Sequence, residues 1–591
     1  MFQTKTAPAT LLPEVMAAVT EAGALIRAEF HRPGGPRGRG DKAPVDAEVE
    51  EVLKARLMRL HPCGWRGEET AGVDARSHDL WVVDPQDGTR DFLAGRRGSA
   101  VSVALLRRGV PVLGVVFAPV APDDAGDLTA WAEGAALTRN GRLVRPEAAG
   151  THPVLALNAA AADGALSHPE AFPGFRIRAV PSPAYRLALA AVGEVDAAMS
   201  RAAPLWSWDI AGGHALLIGA GKVLVDLEGR PIDHARDGFH GVIGGTPEVV
   251  ARLIGRGASS GGRQPRQPAR PKAAEPEAAR LARAQGCLLG QLAGDALGSA
   301  VEFRTAADIA RSHPEGVRDL RDGGTWNLIA GQPTDDSEMA LALARSLVAE
   351  GSFRPEAVAQ AYIHWRRSGP FDIGTTTATG IAALAAGRSA RSESQSNGAL
   401  MRVAPVGLFC AGNPTRAARL GAEDARLTHP HPVCQAASAA FAAAIAAGIA
   451  GADAEGMVRA AFDGAGEGEG GAMVRERLEA AHHAPPADFQ RQMGWVLTAV
   501  QNAFHRLQAG TRLEEALIAT VAAGGDTDTN AAICGALLGA AQGREAVPLR
   551  WRNALLTCRP VRVPGVHHPR PAIYWPDDAL ELAEALLSAE E

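Results

Sequence analysis

Trp81-Val82-Val83-Asp84-Pro85-Gln86-Asp87-Gly88-Thr89 decides how the first half of the chain reads. The apolar run Leu80 to Val83 predicts a short buried strand that delivers Asp84 to its carboxyl end. Pro85 then turns the chain, and Asp87 comes back beside a Gly-Thr turn. On either side, helix-like and strand-like segments alternate. Ala17 to Phe30 and Ala47 to Leu60 have helical spacing, while Ala100 to Leu106 and Val112 to Val116 read as strands joined by Arg107-Arg108-Gly109. The alternation predicts an α/β layered sandwich.

A chain of 591 residues exceeds what one hydrophobic core organises, so more than one domain is expected. Gly257 to Glu275 is rich in Gly, Ser, Pro, Gln and Arg and offers no large apolar residue, which marks a linker. The division is therefore a first domain over 1–256, a flexible linker over 257–276 and a second domain over 277–591. Beyond the linker, helical periodicity prevails, as in Ser337 to Ala349, Val433 to Ala447 and Asn530 to Ala541, and predicts an all-α domain.

A formal charge of −6 with 21% charged residues gives no reason to expect a nucleic-acid coat protein or a polybasic membrane anchor. The six cysteines form no C-x-x-C pair, which fits a reducing compartment rather than a disulfide framework or zinc ribbon. Met1 to Thr10 lacks the features of a secretory signal, and the apolar run Ala436 to Ile449 is too short to span a bilayer. The expectation is a soluble cytoplasmic protein with no membrane partner; oligomeric state is not readable.

The Asp84/Asp87 string stands between Gly67-Glu68-Glu69-Thr70 and Trp208-Asp209-Ile210-Ala211-Gly212-Gly213. Carboxylates and a hydroxyl without His or Cys are hard oxygen ligands of the kind Mg²⁺ takes. In this order the three strings resemble the signatures of the inositol monophosphatase superfamily, with D-F-L-A-G and G-V-P-V-L-G-V-V-F-A-P closer to its bisphosphate nucleotidase branch. The resemblance implies that Glu68, Asp84, Asp87, Asp209 and the Gln86 carbonyl hold two or three Mg²⁺ ions. It further implies that Thr89 with Glu68 activates water, and that the Gly88 and Thr89 amides receive the phosphate of a small-molecule substrate. Where the family carries P-V-T-x-A-D, this chain has Lys42-Ala43-Pro44-Val45-Asp46-Ala47-Glu48, so Asp46 or Glu48 is the candidate for the third metal.

In the second half, Gly286, Gly290, Gly294 and Gly298 recur at helical spacing and line one helix face. Asp295 and Glu302 would share a face if that helix continued. Pro333-Thr334-Asp335-Asp336-Ser337 and Gly524-Gly525-Asp526-Thr527-Asp528-Thr529-Asn530 each open a helical run with more acid than capping requires. Glu302, Thr334, Asp335, Asp336, Asp526, Asp528 and Thr529 together describe a dinuclear oxygen site for Mg²⁺ or Mn²⁺. G-D-A-L-G-S-A-V-E-F, P-T-D-D-S-E-M-A, S-N-G-A-L-M-R-V-A-P, T-H-P-H-P and G-G-D-T-D-T-N resemble the ADP-ribosylglycohydrolase family. That resemblance implies hydrolysis at C1″ of an ADP-ribosyl group carried by a protein, nucleic acid or small molecule. It also implies metal binding and water activation by Asp335 and Asp336, and proton transfer by Glu302. Asn397, Gly398, Met401 and Arg402 would line the ribose and diphosphate, with His429 and His431 nearby. The expected whole is a bifunctional metal-dependent hydrolase. Its rivals are two unrelated substrates, or a phosphatase-like half that only binds a regulatory ligand.

Overall fold

A computed structural model describes residues 7–74, 77–145, 152–167, 172–201, 204–235, 238–255 and 277–589. The linker Gly257 to Glu275 lies outside the described residues, as does Met1 to Thr6. The chain divides into two compact units, Met1–Glu275 and Pro276–Glu591.

The first unit is built on a seven-stranded sheet: β1 Gly64–Gly67, β2 Asp79–Asp87, β3 Ala100–Arg107, β4 Val110–Ala118, β5 Asp127–Ala132, β6 Thr138–Arg139 and β7 Arg142–Leu143, in that order. β1 runs parallel to β2 and every later pairing is antiparallel. The β3–β4 hairpin turns at Arg108 (φ 52°) and Gly109 (φ 78°), the paired positive φ that a two-residue hairpin with right-handed strand twist demands. A five-stranded sheet follows: β8 Val154–Leu157, β9 Arg176–Ala179, β10 Ala197–Ser200, β11 Val223–Asp226 and β12 Val242–Gly245, ordered β11-β12-β10-β8-β9.

Side-chain alternation sorts the first sheet into two faces. Trp81, Val83, Val101, Val103, Leu105, Leu113 and Val115 pack under the helices Pro8–Phe30 and Pro44–Leu60. Leu80, Val82, Ala104 and Leu106 face the other way, toward Ser207–Gly219, which with Pro183–Val192 fills the space between the sheets. The layers thus run helices, sheet, helices, sheet, with Ala159–Ser167 and Pro247–Ala251 beside the outer face of the second sheet.

The second unit is helical throughout, with no strand among its described residues. Its central pair is Ala278–Gly298 against Thr527–Gln542, and the glycine stripe explains the contact. A β-carbon at Gly290 would overlap the Gly535 carbonyl, and one at Gly294 the Ala531 carbonyl, so the two backbones touch where side chains would otherwise intervene. The helix Pro432–Ile449, which contains the most membrane-like run, is core: 89% of its apolar window is buried within the unit. Pro8–Phe30 also has the length and apolarity of a span, but its apolar face lies against the first sheet.

Each unit encloses its own apolar clusters. Residues 1–256 and 277–591 made separately are therefore expected to give single cooperative calorimetric transitions within a few degrees of those of the whole chain. Non-cooperative melting of either fragment would sink that expectation.

Candidate active sites

In the first unit the register decides the chemistry. Along a regular strand Asp84 and Asp87, an odd number apart, would face opposite sides of the sheet. Here Asp84 pairs with Ser102 and Asp87 with Ala100, so Pro85 and Gln86 together oppose a single residue of β3. This bulge restores the phase and puts Asp87 on the Asp84 side, which is the side of the helix Ser207–Gly219 that brings Asp209. Carboxylate oxygens of Asp84, Asp87 and Asp209 come within 4.8 Å of one another. Glu68, at the end of β1, shares a hydrogen bond with Asp84. The group opens into a cavity of about 410 Å³ that Gln86, Gly88, Thr89, Arg90 and Arg186 also line.

The local supports are specific. Asp87 Oδ2 accepts from Ser182 Oγ (2.5 Å) and the Ala184 amide (2.6 Å), tying the start of Pro183–Val192 to the cluster. Asp209 Oδ2 accepts from the Trp206 amide at 2.5 Å at the mouth of its own helix. Gly88 takes φ 96°, a left-handed turn that releases Thr89 into the short helix Thr89–Leu93. Arg186 draws Asp87 part of the way back, yet burial raises every member, and neighbouring carboxylates add to it at Asp84, Asp87 and Glu68. Asp84 lies well above the usual carboxylate range through burial, Glu68, Asp87 and Asp209. Asp87 is pushed up to about 8 by burial and Asp209. Glu68 reaches about 7 through burial and Asp209, although part of its side chain meets solvent.

Thr89 Oγ1 donates to the Gln86 carbonyl at 2.9 Å and lies 3.2 Å from Asp46 Oδ2, and Glu68 lines the same cavity. One expectation is corrected here: Glu48 does not reach the cluster, because it faces outward and pairs with Arg37 at 3.1 Å. Asp46 is the residue that arrives, buried and raised to about 7 by burial. One helical turn on, Glu50 accepts from the Glu69 (2.7 Å) and Thr70 (2.9 Å) amides and holds the Glu68 loop in place. The sequence leaves Asp46 and Glu48 as alternatives; the four-residue spacing of Asp46 from Glu50 on one helix face was the available signal for choosing Asp46.

In the second unit the touching helices deliver acids from opposite directions. Ala278–Gly298 ends beside the start of Thr527–Gln542, and Glu302, Asp526 and Asp528 approach within 4.8 Å. The first helix stops at Gly298, so Glu302 reaches the site from the turn beyond it and not along a continuing helix face. Thr334 Oγ1 lies 3.0 Å from Asp336 Oδ2, and Thr529 Oγ1 donates to the same oxygen at 3.4 Å. Asp336 Oδ1 is buried without a hydrogen-bond partner, an acceptor left for something outside the chain.

Asp295 is the hidden support: its carboxylate accepts from the Thr334 amide (3.2 Å) and the Ser337 amide (3.1 Å), capping the helix Asp335–Glu350 from across the site. Asp372, which sequence reasoning missed, joins the same group. Burial, then Asp295 and Asp526, push it to about 7, and its charge in turn raises Asp335 and Glu302. Glu302 is raised to about 8, by burial first and then by Asp372. Glu338 shows the contrast: Arg570 donates to both its oxygens at 2.7 Å, so that acid is spent on structure.

The predicted ribose and diphosphate contacts divide. Asn397 is in the site, but its amide donates to Asp526 Oδ2 at 2.7 Å and so positions an acid. Gly398 sits against His429, where a β-carbon would lie 3.0 Å from Nε2. His429 is buried, and burial with Arg402 holds its pKa down to about 3, so the ring is neutral. His431 caps Pro432–Ile449 by accepting from the Val433 amide at 3.2 Å.

Met401 belongs to the core. Arg402 is not a free guanidinium: it is fully buried, donates to Asp424 Oδ2 at 3.0 Å and lies 4.3 Å from the Tyr362 ring centroid. Arg402→Met should therefore cost about 3–5 kcal/mol of stability by stranding Asp424, a loss visible as a large fall in melting temperature. An unchanged melting temperature with a raised KM would return Arg402 to the substrate.

Comparison with known proteins agrees with both halves. The ADP-ribosylglycohydrolase description matches residues 276–590 and the inositol monophosphatase family description matches residues 8–255. The ADP-ribosyl-[dinitrogen reductase] glycohydrolase of Rhodospirillum rubrum is 34% identical over 46% of this chain and 90% of its own length. The ADP-ribosylarginine hydrolase Tri1 of Pseudomonas putida (strain GB-1) is 28% identical over 46% of this chain and 73% of its own. The 3′(2′),5′-bisphosphate nucleotidase CysQ of Escherichia coli (strain K12) is 30% identical over 39% of this chain and 96% of its own. The chain is a fusion of two hydrolase families, belonging through residues 8–255 to the inositol monophosphatase family and through residues 276–590 to the ADP-ribosylglycohydrolase family.

Proposed function

We propose that the chain is a bifunctional metal-dependent hydrolase that releases ADP-ribose at one site and inorganic phosphate at the other. The observation that carries the reading is shared by both sites: three carboxylates whose oxygens lie within 4.8 Å of one another. Such a set fits hard divalent cations, and the partnerless Asp336 Oδ1 is the kind of acceptor an ion would take. Glu68, Asp84, Asp87, Asp209 and the Gln86 carbonyl would hold Mg²⁺ in the first unit. Glu302, Thr334, Asp335, Asp336, Asp526, Asp528 and Thr529 would hold Mg²⁺ or Mn²⁺ in the second. Bound ions of this type supply Lewis-acid polarisation and acidify water.

The chain's own residues do the rest. At the phosphatase site Thr89 Oγ1, set against Asp46, orients the attacking water: as the water proton passes to Oγ1, the hydroxyl proton passes to Asp46. The Gly88 turn presents its backbone to the phosphate of a small nucleotide or sugar ester. At the glycohydrolase site Asp295 and Asn397 hold Asp335, Asp336 and Asp526 in register, and Asp372 and Glu302 exchange protons with water and leaving group as positive charge builds on the ribose.

The test uses the intact chain with Mg²⁺ and Mn²⁺ and scores phosphate and ADP-ribose separately. An ADP-ribosylated arginine protein and adenosine 3′,5′-bisphosphate are the first substrates. Neither product in either metal would end the proposal.

A further inference from the structure

Glu302 reaches the glycohydrolase cluster from a turn, where no helical ladder fixes it, so its carboxylate has to be held by other means. Residues 323–328 supply the hold. Gly323 and Leu328 exchange backbone hydrogen bonds of 2.7 and 2.8 Å, closing a tight loop that carries Trp326. Gly324, at φ 78°, presses against the turn beyond Ala278–Gly298. A β-carbon there would lie 2.7 Å from Ala300 Cα and 2.9 Å from the Ser299 carbonyl oxygen, so only glycine lets the two backbones meet. The Thr325 amide donates to the same Ser299 carbonyl at 3.2 Å.

From this seat the loop hands Glu302 two donors. The Thr325 hydroxyl donates to the Glu302 carbonyl at 3.0 Å, and the Trp326 indole N–H donates to Glu302 Oε2 at 2.6 Å. The second bond is short for a nitrogen donor, as charge-assisted bonds are. Trp326 is half-buried, and a half-buried indole can be satisfied by solvent, so packing alone does not require an acid here. The Trp326 ring lies 6.0 Å from Phe371, and Phe371 stands 4.5 Å from His568. The residue after Phe371 is Asp372, another acid of the same group. One aromatic row thus ties the supports of two acids together.

We propose that Trp326 is a positioning residue of the glycohydrolase site, its indole N–H fixing the Glu302 carboxylate in the attitude that receives a divalent cation. The inference rests on the glycohydrolase reading above. The last torsion of a glutamate is soft, and each turn of the carboxylate misaims the oxygen that an ion would take. A donor on Oε2 stops that rotation. The other acids are braced in the same manner: Asp526 by the Asn397 amide at 2.7 Å, and Asp336 by the Thr334 hydroxyl at 3.0 Å. Trp326 is the brace of Glu302. Loss of such a support typically costs about 10–100-fold in metal affinity or activity.

The experiment uses the intact chain and Trp326→Phe, which keeps a ring beside Phe371 and deletes the donor. Half-maximal release of ADP-ribose from an ADP-ribosylated arginine protein should need about tenfold more Mn²⁺ in the variant, with KM at saturating metal within about twofold of the parent. A readout apart from turnover comes from the parent labelled with ¹⁵N-tryptophan. The chain has 10 tryptophans, and the Trp326 indole signal is the one absent from Trp326→Phe, or the one nearest the Phe371 ring. Mg²⁺ should move that signal in the parent and leave it in place in Asp528→Asn. This measurement is made on the parent, so it decides the question even if Trp326→Phe does not fold. A parental Mn²⁺ requirement in the variant overturns the proposal and leaves the glycohydrolase reading standing. So does an indole signal indifferent to Mg²⁺ in a parent whose ADP-ribose release needs metal. A lowered melting temperature in EDTA as the only change in Trp326→Phe is the mark of packing, and it overturns the proposal too. A parent that releases no ADP-ribose in either metal sinks the reading and the positioning role together.

Discussion

Asp528→Asn should lower ADP-ribose release by about three orders of magnitude while phosphate release stays at the parent level. Asp528 is buried at the start of Thr527–Gln542, its carboxyl within 4.8 Å of those of Glu302 and Asp526. Burial, then Glu302, Asp336 and Asp526, hold it well above the usual carboxylate range, the state of an acid whose countercharge is to come from outside the chain. Asparagine preserves volume and keeps an oxygen for the Thr529 amide, which donates to Asp528 Oδ1 at 3.0 Å. What it removes is a charge that would hold an ion. A metal contributes several kcal/mol to the transition state, and about 4 kcal/mol corresponds to about a thousandfold in rate. The metal-free variant should melt at or above the parent, because a repelling charge is gone. Activity within tenfold of the parent, or full activity of the parent in EDTA, would remove Asp528 from the machinery.

What the sequence could and could not disclose follows from the range of the interactions. The β3–β4 hairpin was legible because strand alternation and the Arg108-Gly109 turn are encoded within a few residues. The glycine stripe of Ala278–Gly298 was legible as close packing for the same reason, though its partner helix lies more than two hundred residues away. The acids clustered beside turn residues at helix starts, Asp335, Asp336, Asp526 and Asp528, were also legible, since they exceed what capping requires.

Residues whose role depends on convergence were legible only in part or not at all. Asp46 stood as an alternative to Glu48 until its contact with Thr89 separates the two, and Asp372 sits in a loop with no periodicity to phase it. Arg402 has the chemistry of a phosphate ligand, yet two of its nitrogens donate to Asp424, and no local pattern announces that pairing. The bulge at Pro85-Gln86 belongs to the same class: Asp-Pro signals a turn, while the actual device is a strand that slips by one residue to keep two acids on one face.

That slip has a measurable cost in the absence of metal. Asp46 and Glu68 are raised to about 7, Asp87 to about 8 and Asp209 to about 6, burial being the first cause in each. A carboxyl whose folded pKa lies above its unfolded value binds protons more tightly in the folded state, so stability is full below about 4 and falls as pH rises through the folded values. In EDTA the phosphatase unit should therefore melt lower at pH 8 than at pH 5, the reverse of a protein held by ionised, salt-bridged carboxylates. Mg²⁺ at pH 8 should restore the loss, and ligand at about 100 times its Kd contributes about 2.7 kcal/mol. Asp87→Asn makes the sign explicit: it should raise the EDTA melting temperature at pH 8, abolish most of the Mg²⁺ increment and cut phosphate release by about a thousandfold. The asparagine Oδ1 still accepts from Ser182 and Ala184, so the loss is of charge and not of scaffold. If the parent in EDTA instead gains stability between pH 5 and pH 8, or Asp87→Asn keeps the full Mg²⁺ shift, the cluster is not a cation site, and the shifted register of β2 needs another cause.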